Sequence, residues 1–286
     1  MQLFHHIFQK ANNMRLQYAA LMIISTVLLS CSGTKPNYPT DAGGTTNGGG
    51  GTGGNGKGTN LSIFPIKEGN YWIYETYQLD SNSKRVSQKP VYDSVVVTGK
   101  TKKSEKDCYI FADFRKATTS YTKSNELYYY IDGQIIYTYS NYITLTMGNQ
   151  ILNTILGIED KWLTYINYAD ELWRLYKKQI DGSTIPFVTV TGKLDVISSK
   201  EFESKVNTGY YNLTAQEYIV SFKFLGTMKV QGQSIPINID RDVHYWYADK
   251  VGLIKSLSES YELALPLMGG IKVAGEEREL MNYNLK

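Results

Sequence analysis

Histidine and cysteine are almost missing from this chain. It holds three histidines and two cysteines in 286 residues, and with His5 and His6 at the very start His244 stands alone in the rest. A zinc site draws three or four ligands from Cys, His and carboxylates. Past Cys31 the chain can offer one histidine, one cysteine and carboxylates. Cys108 alone forms no internal disulfide, and its apolar setting, Cys108-Tyr109-Ile110-Phe111, marks a buried core thiol. Nothing flanking His244 has the form of a nucleophile elbow. The sequence therefore points to no catalytic residue, no metal site and no cofactor. An excess of one charge is missing too. Residues 1–30 carry only Lys10 and Arg15, leaving 28 of the 30 basic residues against all 27 acidic ones. Lysine and arginine are scattered, so no basic face marks a nucleic-acid partner. A long apolar run is also lacking. Residues 18–29, about twelve in all, are too few to cross roughly 30 Å of hydrocarbon as a helix.

That run has the length of a signal-peptide apolar region. It ends in Leu28-Leu29-Ser30-Cys31, which resembles the lipobox of bacterial lipoproteins. The resemblance implies cleavage after Ser30 and acylation of Cys31. Two or three acyl chains hold far more firmly than one, since each buried CH₂ contributes about 0.8 kcal/mol. Met14 is an alternative start, with Arg15 as the basic head of the signal. From Ser32 to Asn60 the chain turns to Gly, Thr, Asn and Ser, with Gly48-Gly49-Gly50-Gly51 and no aromatic after Tyr38. Nothing there offsets the entropy of ordering. It reads as a flexible tether with an r.m.s. span of about 30 Å. Gly56-Lys57-Gly58-Thr59 lacks the spacing of a phosphate-binding loop. The expected organisation is a signal peptide over 1–30, acylated Cys31 and tether over 31–60, and a β-rich globular domain over 61–286.

In the domain, tyrosine is abundant, and with Val, Ile, Thr and Phe it marks strand-like stretches bounded by Gly, Asn, Asp and Ser. Expected strands cover 70–79, 91–98, 108–115, 127–131, 134–139, 162–168, 172–179, 185–196, 215–225, 242–247, 252–263 and 280–285. Asp132-Gly133 and Asp181-Gly182 are hairpin signals. Residues 148–158 are the best helix candidate, with Ile151, Leu152, Ile155 and Ile158 at helical spacing. Many strands without alternating helices argue against a parallel sheet. The expected fold class is mainly β: a single antiparallel, curved sheet or open half-barrel meander with one or two short helices, a sandwich being the alternative.

Two motifs carry a further resemblance. The first is Phe64-Pro65-Ile66-Lys67-Glu68-Gly69-Asn70-Tyr71-Trp72-Ile73-Tyr74, and the second is Tyr245-Trp246-Tyr247-Ala248-Asp249-Lys250-Val251-Gly252-Leu253-Ile254-Lys255. They are similar to the opening F-P-[LI]-x-x-G-x-x-W-x-Y and closing W-Y-A-x-G-V-G-L-V-K motifs of lipid-anchored bacterial proteins called TapB-like. Lys250 stands where that pattern has glycine. A looser match is Thr208-Gly209-Tyr210-Tyr211-Asn212-Leu213-Thr214-Ala215, which resembles the A-G-T-F-x-A turn of the same proteins. The resemblance implies a curved antiparallel β domain related to half-barrels that carry lipids between bacterial membranes, and it brings no enzyme activity. In the residues themselves, Pro65 suits the start of a first strand, Trp72 and Tyr74 share one face, and Tyr245 and Tyr247 share another while Trp246 takes the opposite side. These four aromatics, Trp72, Tyr74, Tyr245 and Tyr247, are candidates to line a ligand groove; core and edge packing is the favoured reading of the same pattern.

Other signals are weak. Asp240-Arg241-Asp242 reads as a solvated turn before it reads as a calcium site. Asp93-Ser94-Val95 resembles an acceptor for bacterial O-glycosylation. Glu276-Glu277-Arg278-Glu279 reads as a charged loop before the last strand, and Asp170-Glu171 as a carboxylate pair with no visible opposition. The function expected is non-enzymatic: an envelope lipoprotein, on the outer membrane and facing the periplasm, binding an apolar or amphipathic ligand in a curved sheet. The alternative is a structural or docking subunit of an envelope complex. Partners are the membrane through Cys31, a lipid or other hydrophobic ligand, or a protein.

Overall fold

In the first strand Trp72 and Tyr74 are buried while Tyr71, Ile73 and Glu75 are half-exposed. That period of two repeats along the chain and builds one curved sheet with a packed inner face. The computed structural model describes residues 61–87, 89–117, 120–148, 156–185, 188–230, 232–263 and 271–286. Ser30, Cys31 and the tether lie outside the described residues. A 3-10 turn at Leu61–Ile63 precedes β1 (Tyr71–Leu79), β2 (Val91–Lys103), β3 (Lys106–Ala117), β4 (Ser120–Asp132), β5 (Ile135–Tyr139), the helix α1 (Asn141–Met147) and β6 (Trp162–Asn167). There follow β7 (Leu172–Ile185), β8 (Val188–Asn207), β9 (Asn212–Val230), β10 (Gln233–Ala248), β11 (Gly252–Ser258), β12 (Tyr261–Leu263), β13 (Ile271–Val273) and β14 (Gly275–Asn284).

Twelve of these strands form one sheet in the order β6-β5-β4-β3-β2-β1-β14-β11-β10-β9-β8-β7, with β12 and β13 paired as a separate hairpin. The fold is mainly β, a single antiparallel sheet nearly closed into a barrel. Two meanders, β1 to β6 and β7 to β11, are joined where β14 pairs with both β1 and β11. The outer strands β6 and β7 share no ladder, but the Trp173 indole donates to the Thr164 carbonyl at 3.0 Å across that seam. The outward faces of β7 to β10 carry ion pairs such as Arg174–Asp195 at 2.7 Å. Among the described residues no helix is long and apolar enough to cross a membrane.

Several sequence expectations are corrected. Asp132 ends β4 opposite Ile135, so the hairpin turn is Gly133-Gln134, with positive φ at Gly133 alone. Asp181-Gly182 makes no hairpin; the β7–β8 register shifts between Asp181 and Ser183, a bulge inside β7 at which Gly182 takes a positive φ. Most of the helix expected over 148–158 lies outside the described residues, and the helix that is described ends at Met147, capped by Gly148 at φ +65°. Phe64-Pro65 precedes β1 instead of starting it. Asp240-Arg241-Asp242 is strand, not a turn, and 276–279 is the body of β14, not a loop. The stretch 252–263 is two strands, β11 and β12, and β13 is an addition. Asp93 and Ser94 are buried within β2 at 2% and 4% exposure, which closes that motif to a glycosyltransferase in the folded protein.

Candidate functional site

Inward positions of β1, β2, β3, β10 and β14 change character along the barrel. At one end they are aromatic. Phe64, from the segment before β1, plugs this end, with its ring centroid 5.4 Å from Phe111, 5.0 Å from Tyr129 and 5.9 Å from Tyr247. Trp72 stacks on Phe111 at 6.1 Å. Two tyrosine pairs cross the interior: from α1 the Tyr142 hydroxyl donates to Tyr245 of β10 at 2.9 Å, and Tyr165 of β6 and Tyr247 of β10 share a hydrogen bond of 2.7 Å. Burial raises all four hydroxyls above the ordinary tyrosine value, so they act as neutral donors and acceptors.

A few residues further along the same strands the inward positions are charged. Asp93 follows Val95, Asp113 and Arg115 follow Phe111, Arg278 and Glu276 follow Leu280, and Arg241 follows Val243. Arg115 donates from Nε to Asp93 at 2.9 Å and from Nη2 to Glu276 at 3.2 Å. Arg278 bridges Asp93 at 3.4 Å and Asp113 at 3.5 Å, and the Thr76 hydroxyl donates to Asp93 at 2.7 Å. Burial pushes both aspartates up, but the Arg115 hydrogen bonds and the Arg278 charge overcome it at Asp93 and hold that carboxyl below its ordinary value. At Asp113 burial wins and its carboxyl lies above the usual aspartate value. Between the aromatic end and this wall lies a cavity of about 560 Å³. That is within the range of small-molecule sites, roughly 300–1,000 Å³.

The two motifs singled out in the sequence meet here. The Trp72 indole donates to the Val251 carbonyl at 2.6 Å, and the Tyr74 hydroxyl donates to the Leu253 carbonyl at 2.9 Å. Gly252, between them, has φ +96°, and a Cβ on it would lie 3.2 Å from the Trp72 nitrogen. The motifs are therefore one packing unit, built from the first strand and the turn that opens β11.

No family model matches the chain. No curated protein matches it either. Among solved structures it is similar to a candidate lipoprotein from Parabacteroides distasonis, with 13% identity and a TM-score of 0.41, covering 78% of this chain and 98% of that one. It is also similar to a candidate exported protein with a YmcC-like fold from Bacteroides fragilis, with 10% identity and a TM-score of 0.36, covering 77% and 98%.

All four candidate groove residues, Trp72, Tyr74, Tyr245 and Tyr247, line this cavity. They are also core residues, three of them under 4% exposed, so groove and core packing describe the same side chains. His244 lies on the other face of β10, stacked on Trp246 and 2.7 Å from Glu217. Cys108 is buried, with Sγ 3.4 Å from the Thr101 carbonyl. Asp170 and Glu171 are exposed between β6 and β7. Among the described residues no group of three or more His, Cys, Asp or Glu could hold a metal ion. Sequence reasoning missed the charged wall. The signal was present in β10, where Ile237, Ile239, Arg241, Val243 and Tyr245 alternate inward and a charge takes an apolar position. Chemically, Asp93 is tied to two guanidiniums and Asp113 to one, an arrangement for recognition more than for moving protons.

Proposed function

We propose that this protein is a lipid-anchored, non-enzymatic component of a bacterial envelope that holds an amphipathic ligand inside its barrel. The observation that carries the reading is the interior cavity, bounded by aromatic side chains on one side and charged ones on the other. Such a site suits a molecule with an apolar body and a polar end. The sequence around Cys31 supplies the anchor, and Ser32, which is not the aspartate that retains many lipoproteins on the inner membrane, favours the outer membrane. The test is native mass spectrometry on residues 31–286 carrying Cys31→Ser, exported to a bacterial periplasm behind a signal whose cleavage needs no cysteine. A reproducible added mass that extracts into organic solvent is expected. A clean apo mass, repeated after incubation with envelope lipids, would overturn the reading.

A docking role draws on a separate observation. Phe202, in the bulge of β8, and Leu172, at the start of β7, are 86% and 66% exposed. Cross-linking in cells from either position would capture a partner under that reading.

A further inference from the structure

Arg241 differs from the other guanidiniums of the cavity in what surrounds it. Arg115 and Arg278 each face carboxylates within 4 Å. Arg241, only 6% exposed, pairs with no carboxylate among the described residues. Its Nη1 donates to the Thr146 carbonyl at 2.6 Å, its Nε donates to the Glu259 carbonyl at 3.2 Å, and its guanidinium sits 5.2 Å from the Tyr261 ring centre. Carbonyls satisfy hydrogen bonds but leave the charge uncompensated, and a buried charge without a counter-charge is costly. Glu276 lies within electrostatic reach, yet it is held by Arg115 and Arg278 at 3.2 and 3.6 Å. Nη2 makes no hydrogen bond among the described residues. The same cavity runs from Arg241 past Val243 and Tyr245 to Trp72 and Phe111.

We infer that Arg241 is the anchor for the anionic head group of an amphiphile, a carboxylate or a phosphate, whose apolar part lies along Tyr245, Trp72 and Phe111. The inference rests on the cavity being a ligand site, as proposed above. A charge-assisted hydrogen bond from a desolvated guanidinium contributes about 1.5–3 kcal/mol, which is about tenfold or more in affinity.

The experiment compares dodecanoate, dodecyl phosphate and dodecanol, all below their micellar concentrations, binding to residues 31–286 carrying Cys31→Ser in detergent-free buffer. Calorimetry is expected to show at least one of the anions bound about tenfold or more tightly than dodecanol. Whether carboxylate or phosphate leads identifies the head group. Arg241→Gln should bring the anion down to the affinity that the same variant shows for dodecanol, while Arg241→Lys should keep most of the preference. The wild-type comparison reads the preference without any substitution, so a poorly folded variant does not decide the matter. Equal affinity for all three ligands, or a preference that survives Arg241→Gln, would overturn the role of Arg241 and leave the cavity a ligand site. No binding of any of the three would overturn both.

Discussion

Trp72 and Val251 are 179 residues apart in the chain and share one hydrogen bond, from the buried indole nitrogen to the carbonyl, at 2.6 Å. Trp72→Phe removes the donor and leaves that carbonyl buried without it. The cost of an unsatisfied buried group is about 1–3 kcal/mol. Urea unfolding should show that loss for Trp72→Phe. Trp162→Phe, whose indole bond to the Lys103 carbonyl is longer at 3.2 Å and only partly buried, should lose less.

The turn beyond that carbonyl makes a paired prediction. Lys250 sits at φ +58°, and its N–H donates to the Ser62 carbonyl at 2.8 Å. A left-handed conformation costs an L-residue about 1–2 kcal/mol, part of which glycine returns through its freer unfolded chain. Lys250→Gly should therefore stabilise the fold by about 0.5–1 kcal/mol. Gly252→Ala should do the reverse, by about 1–3 kcal/mol, because it strains φ and presses a methyl toward Trp72. Chemical denaturation of the two variants checks both signs.

Asp93 should make the barrel acid-sensitive. Its folded carboxyl is held below the ordinary 3.8, so the stabilisation is fully present above that value and is lost as pH falls through the folded one. Asp93→Asn should cost about 3 kcal/mol near neutrality, since Arg115 and Arg278 lose a buried partner. The gap between wild type and variant should narrow from about pH 5 toward pH 2 in unfolding titrations. A gap that stays constant across that range would mean that Asp93 contributes through packing alone.

The seam between β6 and β7 should open before the rest of the sheet. Trp173→Phe removes the indole bridge to the Thr164 carbonyl, at 3.0 Å. Hydrogen exchange should quicken by about tenfold at 162–167 and 172–179 and stay unchanged in β1 and β14, in keeping with local opening of about 1.4 kcal/mol. A uniform rise over all twelve strands would show that the seam does not open independently.

The strands most legible in the sequence are those whose inward positions are large and apolar at period two, such as β1 with Trp72 and Tyr74. The halves that escaped are polar on their outward side. Ser198-Ser199-Lys200-Glu201 belongs to β8 and Gln233–Ala248 to β10, and both contain residues that a local window reads as turn. Charge misled in the same way at Arg241 and Arg278. Glu276 is the one counter-charge near Arg278 in sequence; Asp93 and Asp113, and the carbonyls of Thr146 and Glu259 around Arg241, come from segments that no short window contains. Alternation does place Trp72 with Tyr74, and Tyr245 with Tyr247. That the two pairs face one cavity depends on β14 and β11 lying between β1 and β10, a non-local fact.

That same adjacency has a mechanical consequence. Tyr71, at the start of β1, pairs with Asn284, at the end of β14, and the Lys286 amide donates to the Asn70 side chain at 2.9 Å. A pull between the chain before β1 and the chain after β14 would load that ladder one rung at a time, peeling it instead of shearing it. Under such tension the barrel yields first at this join, and the Trp72 bond to Val251 lies beside the second rung to part.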